Sequence, residues 1–502
     1  MCRGRVASKK WTRRLRGNEE KRRVEEYYGR ERFKSLRRLI GNRSQLTAMS
    51  SSRRKFIKDI SLATGGILVA GSSFNNIFIP GRSKVIIIGA GFAGLSAALY
   101  LHKKKIDFII LEARNRIGGR VFSHTIDESE NLVVELGAEW VGNSHTRLQN
   151  LCNEFGLELI NNQFDTHLIY KEHYYKPNEW SYSDPWKEKF KTIIDNYSKL
   201  TQAQKIRIDK MDWWRYLVDH GCEGQDLDLR ELLDSTDFGE SIRHVSAFAA
   251  LAEYAESSEK NEMDLKIKGG NSMLAKKIGE KIGPDKIQLQ HSVNRIVQNT
   301  KGGVKVYCDN GQVFSGDKII CTAPTFALKK IKWEPGLPVD QVNAINELQY
   351  ARINKNPLLF SERFWNDESF DMVTDQSPHY FYHATKNQSS KKGVLISYSI
   401  GEKAAVVANQ SDEWKTSMIQ QTLQPQFGDV RKLLEKQINY YWGNDQYSRG
   451  AYAIYGKGQW FRVMPILKRS HIHTHFAGEH LADWQGFMEG AINTGEEAAG
   501  RM

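Results

Sequence analysis

The sequence predicts an α/β chain in two domains, one built on a parallel sheet and the other an α+β domain with a mixed sheet. Three observations carry that prediction. An apolar, β-branched run at 84–88 meets three glycines, and a helix-forming stretch then leads to a second apolar run at 108–111. Glycine-rich blocks return at 267–282 and 475–499, far along the chain. The stretches between differ in texture: 151–263 is rich in Trp, Tyr and Asp, and 333–442 carries alternating runs such as YFYHAT and GVLISYSI that read as strands. At 502 residues the chain holds two or more domains, and its 12 Trp, 20 Tyr and 22 Phe mark a folded globular protein.

At the amino-terminal end the charge is concentrated. Residues 1–48 carry 16 Lys/Arg against 5 Glu, and residues 49–59 carry four basic residues against one acid. Subtracting both from the net +13 leaves the other 443 residues at about −1. The body is nearly neutral, so the overall charge gives no argument for nucleic acid as a partner. Residues 1–48 lack an apolar period and read as a basic extension outside the fold, with Met49 as the natural start. Within 49–82, SRRKFIKDISLATGGILVAGSS has a basic region, a short apolar run and small residues, the layout of a signal and linker. Its run is too short to cross a bilayer as a helix. The order Arg53, Arg54, Phe56, Ile57, Lys58 resembles the twin-arginine export signal. That resemblance implies the export machinery as a partner and a periplasmic or exported protein, anchored if the signal stays uncleaved.

Next comes the glycine stretch. Gly89, Gly91 and Gly94 fit GxGxxG, with Ala90 and Ala93 in the same turn and helix formers running from Leu95 to about Lys103. The first glycine permits a tight turn, the second lets a phosphate approach the backbone, and the third lets the helix pack on the sheet. Free amides at the helix start suit a pyrophosphate. Glu112 ends the second strand 23 residues after Gly89, where an acid can bond ribose hydroxyls. Strand, loop, helix, strand and acid in this order predict a Rossmann-like, dinucleotide-binding domain.

A further element follows at once: Ala113, Arg114, Gly118, Gly119 and Arg120, in LEARNRIGGR. This order resembles the flavin amine oxidase family. The family implies FAD, with Glu112 on the adenosine ribose and Arg114, Gly119 and Arg120 along the cofactor. Other blocks match in the family's order. ELGAEWVG supplies the loop Gly137, Ala138, Glu139, Trp140 near the isoalloxazine, and IKGGNSMLAKKIGEKI returns the chain to the flavin domain. IQLQHSVNRIVQ holds Val293, whose backbone contacts adenine in the family, and DKIICTAPTFALKKIKWEPGLP closes that segment. HFAGEHLADWQGFMEGAINTGEEAA resembles the carboxy-terminal flavin signature, with Gly478 and Glu479 near the ribityl and pyrophosphate. In it, Gly486, Phe487 and Met488 begin a helix aimed at the flavin. The implied FAD-binding domain is discontinuous, at 83–150, 264–332 and 443–502, and 151–263 with 333–442 form the substrate domain.

The resemblance implies a reaction: hydride passes from an amine α-carbon to flavin N5, the imine hydrolyses to aldehyde or ketone plus ammonia, and O2 becomes hydrogen peroxide. Lys355, in phase with Ile353 and Leu359 on a strand, points inward. A family lysine at this place holds a water against N5. Pro357 is awkward for a central strand. Tyr452 and Phe487 match the family's pair of facing rings, whose π faces suit an amino group. Trp442 is expected over the flavin edge. Ala451 stands where some members carry a flavin-linking cysteine, so the FAD is expected to be non-covalent.

Relatives that oxidise L-amino acids usually clamp the carboxylate with an arginine just after the glycine–alanine loop. Here Arg147 comes late, so an amine without a carboxylate is preferred. L-Amino acid oxidation stands as the alternative. Behind it come polyamine oxidation, for which Glu139, Glu253 and Glu256 offer acids, a flavin desaturase, and a non-enzymatic FAD-binding module. Five cysteines (Cys2, Cys152, Cys222, Cys308, Cys321) without a CxxC pair argue against a disulfide framework or zinc site. His471, His473 and His475 read as one face of a strand, with no metal implied. Helical spacing covers Ile206 to Val218, and the oligomeric state is left open, a dimer being compatible with the sequence.

Overall fold

The computed structural model describes residues 85–256, 264–483 and 485–502. The basic extension, the twin-arginine-type signal and Met49 lie outside the described residues. Among the described residues, no helix is long and apolar enough to cross a membrane.

Five parallel strands form the first sheet, in the order Thr474–Phe476, Lys318–Cys321, Val85–Ile88, Phe108–Leu111, Ile287–Gln288. Val85–Ile88 is central and apolar at every position because both of its faces are covered. Val85 and Ile87 pack against a helical layer, while Ile86 and Ile88 pack against the layer that includes Ile296, Val304 and Val306. The helical side is led by Phe92–Lys103 and Met488–Ala499. These two helices cross very closely: a Cβ at Gly495 would lie 2.1 Å from the Ala93 carbonyl oxygen. Ser96 donates from its hydroxyl to the Ile492 carbonyl at 3.1 Å across the same contact. The helix after the central strand and the last helix are thus fastened together beside that strand.

The second large sheet has eight strands. Its main order is Leu434–Gln437, Ile353–Phe360, Gly393–Ile400, Tyr380–His383, Phe370–Thr374, Asp165–Tyr170, His173–Tyr175, and Tyr440–Tyr441 also pairs with Ile353–Phe360. Phe370–Thr374 runs parallel to Asp165–Tyr170 and the other pairings are antiparallel, so the sheet is mixed. Strands of the five-stranded sheet come from 83–150, 264–332 and 443–502, and those of the mixed sheet from 151–263 and 333–442. Residues 85–502 nevertheless belong to one compact unit.

Pro357 sits in the middle of the sheet, and the register explains how. Its carbonyl accepts from the Ile438 amide at 3.0 Å, so its missing N–H would face the same side. That side is the break between Leu434–Gln437 and Tyr440–Tyr441, where no ladder donor is needed. The spacing from Ile206 to Val218 resolves into two helices, Gln202–Asp209 and Trp213–Asp219. Asp212 divides them, its carboxylate capping the second by accepting from the Arg215 amide at 2.8 Å. His471 and His473 do not share a strand with His475. The strand starts at Thr474, and Ile472 sits in a turn at φ +54°. Among the described residues no group of His, Cys, Asp and Glu could hold a metal ion.

Candidate active site

One cavity of about 520 Å³ runs from the carboxyl ends of the parallel strands to the mixed sheet. At its outer end Gly89, at φ +101°, turns the chain out of the central strand. Helix Phe92–Lys103 starts there with Gly91 as N-cap and no side-chain cap. Gly91 and Ala93 line the cavity. Ala90 and Gly94 do not: Ala90 is buried with its amide on Glu112, and Gly94 faces inward against Gly89. Glu112 is buried at the strand end. Its two oxygens accept from the Ala90 amide at 2.7 Å and the Arg114 amide at 2.8 Å. This carboxylate therefore locks the turn and keeps lone pairs for a further donor. Ala113, Gly119 and Val293 line the same end.

The middle of the wall is a chain of ion pairs. Arg114 donates to Asp445 at 2.6 Å and to the Ser448 hydroxyl at 2.9 Å. Arg120 donates to Glu479 at 2.5 Å and to the Ala451 carbonyl at 3.1 Å. Burial opposes the Arg120 charge, but the Glu479 carboxylate more than offsets it, so its pKa is raised. Glu479 also accepts from the amides of Ala453 and Gly486, which ties Gly478 and its neighbours to the strand before Tyr455.

At the inner end Lys355 enters from the middle of the mixed sheet, 3% exposed. Its ammonium donates to the carbonyls of Glu135 (3.0 Å) and Gly137 (2.9 Å) and to the Glu139 carboxylate (3.3 Å). The rings of Trp140, Tyr382 and Tyr398 stand 5.4, 5.7 and 5.8 Å from the same nitrogen. Ala138, Trp140 and Trp442 line this end, and Trp442 is held by its indole N–H on the Leu136 carbonyl at 2.8 Å. Tyr452 is braced by its hydroxyl on the Asp237 carbonyl at 3.3 Å, and burial pushes its pKa well up. Phe487 meets the His145 ring edge-on at 5.2 Å. Helix Met488–Ala499 begins immediately after it, again without a side-chain cap. Two helix N-termini thus face one cavity, both favouring negative charge.

The residues present fit a dinucleotide-like group: a glycine turn and Glu112 at one end, an aromatic chamber at the other, and a polar wall between. The sequence reading missed Tyr398, His291, Asp445 and Thr322, all of which touch or support this cavity. Tyr398 stands directly across from Lys355 in the sheet register. Only pairing, not local pattern, could reveal it. Arg147 is turned away, bidentate to Glu496 at 2.6–2.9 Å. Glu253 and Glu256 are not among the cavity's lining residues, and Glu256 accepts from the Tyr197 hydroxyl at 2.9 Å. The four described cysteines are free and buried.

Comparison with known proteins fits this geometry. The family model of flavin containing amine oxidoreductases matches residues 92–502. Amine oxidase [flavin-containing] B of Homo sapiens is 24% identical over 465 residues, which cover 83% of this chain and 85% of the relative. An L-amino-acid oxidase of Demansia vestigiata is 25% identical over 452 residues, 83% of this chain and 86% of the relative. Among solved structures, putrescine oxidase superposes with a TM-score of 0.75 at 21% identity, covering 84% of this chain and 98% of that one. The chain belongs to the flavin-containing amine oxidoreductase family, and its activity is flavin-dependent amine oxidation.

Proposed function

We propose that this protein is an FAD-dependent oxidase of a primary or secondary amine that bears no carboxylate, with the FAD held non-covalently. One observation carries the reading: a single cavity joins the glycine turn and Glu112 to a chamber of Lys355, Tyr452 and Phe487. When bound, FAD accepts the α-hydrogen of the amine as hydride and passes the electrons to O2, giving hydrogen peroxide. The protein's part is placement. Gly91, Ala93 and the uncapped start of the first helix take the pyrophosphate, Glu112 the adenosine ribose, and Val293 the adenine. The start of the last helix, at Met488, supports negative charge at the ring system. Tyr452 and Phe487 present π faces to the amino group and limit its approach. Lys355 brings its positive charge beside them, and the buried walls exclude water until the imine leaves to be hydrolysed.

The absence of a carboxylate is supported by charge. Arg147 is committed to Glu496, and the cation at the inner end, Lys355, is already held by three acceptors. Ala451, lining the cavity before Tyr452, offers no thiol for a flavin bond. Bleaching of the flavin under nitrogen by tyramine or putrescine, but not by L-amino acids, is the expected result. Bleaching by amino acids alone would refute the substrate class, and a colourless protein that takes up no FAD would refute the reading whole. Acid precipitation should leave the pellet colourless. We further propose export to the periplasm by the twin-arginine route, checked by fractionation of cells carrying Arg53 and Arg54 exchanged for Lys.

A further inference from the structure

The inner end of the cavity holds more buried charge than the reaction needs. Glu135, Glu139, Lys266 and Lys355 are all nearly fully buried and lie within one cluster. Resting on the reading that Lys355 faces the FAD ring, we propose that Glu139 is a positioning residue whose carboxylate holds the Lys355 ammonium in place and balances its charge, and thereby tunes the potential of the bound flavin.

The geometry leads there stepwise. An ammonium has three protons, and all three of those on Lys355 have protein acceptors: the carbonyls of Glu135 and Gly137 and the carboxylate of Glu139. The carbonyls bring only partial charge, so the full counter-charge in contact is Glu139. The Glu139 side chain is wholly buried, and one oxygen accepts from both Lys355 at 3.3 Å and the Tyr382 hydroxyl at 2.6 Å. Its other oxygen has no hydrogen-bond partner and stands 4.0 Å from the Lys266 ammonium.

The neighbouring groups do not take over this task. Glu135, on the strand below, has its carboxyl pushed up to about 7 by burial, and it accepts from the Asn271 amide and the Ser123 hydroxyl. Lys266 donates to the Ala384 carbonyl at 3.1 Å, and burial draws its pKa down. Tyr398, on the strand beside Lys355, and Tyr382, one strand further along the sheet, bring rings rather than anions. Without Glu139 the Lys355 ammonium would keep only the partial charges of two carbonyls.

The test uses the full chain loaded with FAD. Glu139→Gln keeps an oxygen for the Tyr382 hydroxyl and removes the charge. The midpoint potential of the bound flavin is measured at one fixed pH in the parent, in E139Q and in the double variant E139Q/K355M. The inference expects E139Q to raise the potential, because the ammonium is no longer offset and favours the anionic reduced flavin, and the double variant to bring it back toward the parent. If E139Q does not fold while the double variant does, the counter-charge role is supported, because the double variant removes the ammonium that Glu139 contacts directly. An FAD-loaded E139Q with its potential unmoved overturns this inference alone. Failure of both variants to fold overturns it as well, since Glu139 then serves Tyr382 and Lys266 instead. A parent that binds no FAD overturns the underlying reading and this inference with it.

Discussion

Gly94→Ala tests the physical basis of the cofactor turn most directly. A Cβ at this position would lie 1.9 Å from the Gly89 carbonyl oxygen and 3.3 Å from a methyl of Ile87. Real Cβ atoms do not approach closer than about 3.0 Å, so strand end and helix start must part by about 1.1 Å. The obstacle is backbone at the exit of a fully buried strand, which cannot swing aside as a flexible side chain would. Overpacking of this kind costs about 1–3 kcal/mol. Because it moves the amides proposed to hold the pyrophosphate, FAD affinity should fall about 5- to 150-fold. Gly91→Ala is the paired control. Its backbone is at φ −74°, and an added Cβ meets only the Gly119 Cα at 3.9 Å, an ordinary contact. The apoprotein should therefore melt as the parent does. Yet the new methyl enters the cavity where a phosphate would lie, and affinity should fall about tenfold or more. The assay is flavin fluorescence titration of the apoprotein, with thermal melts alongside. If G91A binds FAD as tightly as the parent, the phosphate does not approach Gly91, and if G94A leaves both melt and affinity unchanged, the packing argument is wrong.

Other consequences are as specific. Lys355→Met should leave anaerobic flavin reduction within several-fold of the parent while slowing reaction of the reduced enzyme with oxygen by about 10²-fold; stopped-flow traces of the two half-reactions would show the reverse pattern if the lysine serves amine binding. Arg120→Ala orphans the buried Glu479 and should cost about 3 kcal/mol in a denaturant melt; a loss under 1 kcal/mol contradicts the pairing. Asp371 lies buried with its carboxyl pushed up to about 7, chiefly by burial, and accepts from the Tyr380 hydroxyl at 2.7 Å. The folded state therefore binds this proton more tightly than the unfolded state, and stability from this group is full at acid pH and declines as pH rises from about 4 to 7. The stability advantage of Asp371→Asn over the parent should grow across that window and stay flat above it. An advantage independent of pH would show that Asp371 is ionised throughout.

Much of the flavin end was legible because its parts are local. A turn that needs Gly89, a helix that needs Gly94, and an acid at the end of the next strand are fixed by chemistry within 24 residues. The inner end was legible only in part. Alternation put Lys355 on the inward face, and the structure holds it there, but nothing nearby in sequence names Glu139 or Tyr398 as its neighbours. Those contacts depend on strand register and on a loop 216 residues away. Pro357 misled for the same reason: its tolerance depends on a gap in a neighbouring strand, not on its own flanks. Arg147 could be placed after the loop from sequence, but its commitment to Glu496 is a contact with the last helix, 349 residues away.

The same distinction explains how the site can keep its cofactor end and vary its guest. The phosphate turn, Glu112 and the Arg120–Glu479 pair sit between the parallel sheet and two helices that cross too closely to admit a Cβ at Gly495. A change there disturbs both helices at once. Tyr452 rests instead on the helix end at Asp237 and Gly239, and Phe487 on His145. A Cβ at Gly239 would stand 2.4 Å from the Tyr452 hydroxyl, so the ring has no room to retreat toward that helix. Gly239→Ala should thus displace Tyr452 into the chamber, raising KM for bulky amines more than for small ones while leaving FAD content unchanged. Equal changes for both sizes of amine, or loss of the flavin, would show that the two ends of the cavity are not separable in this way.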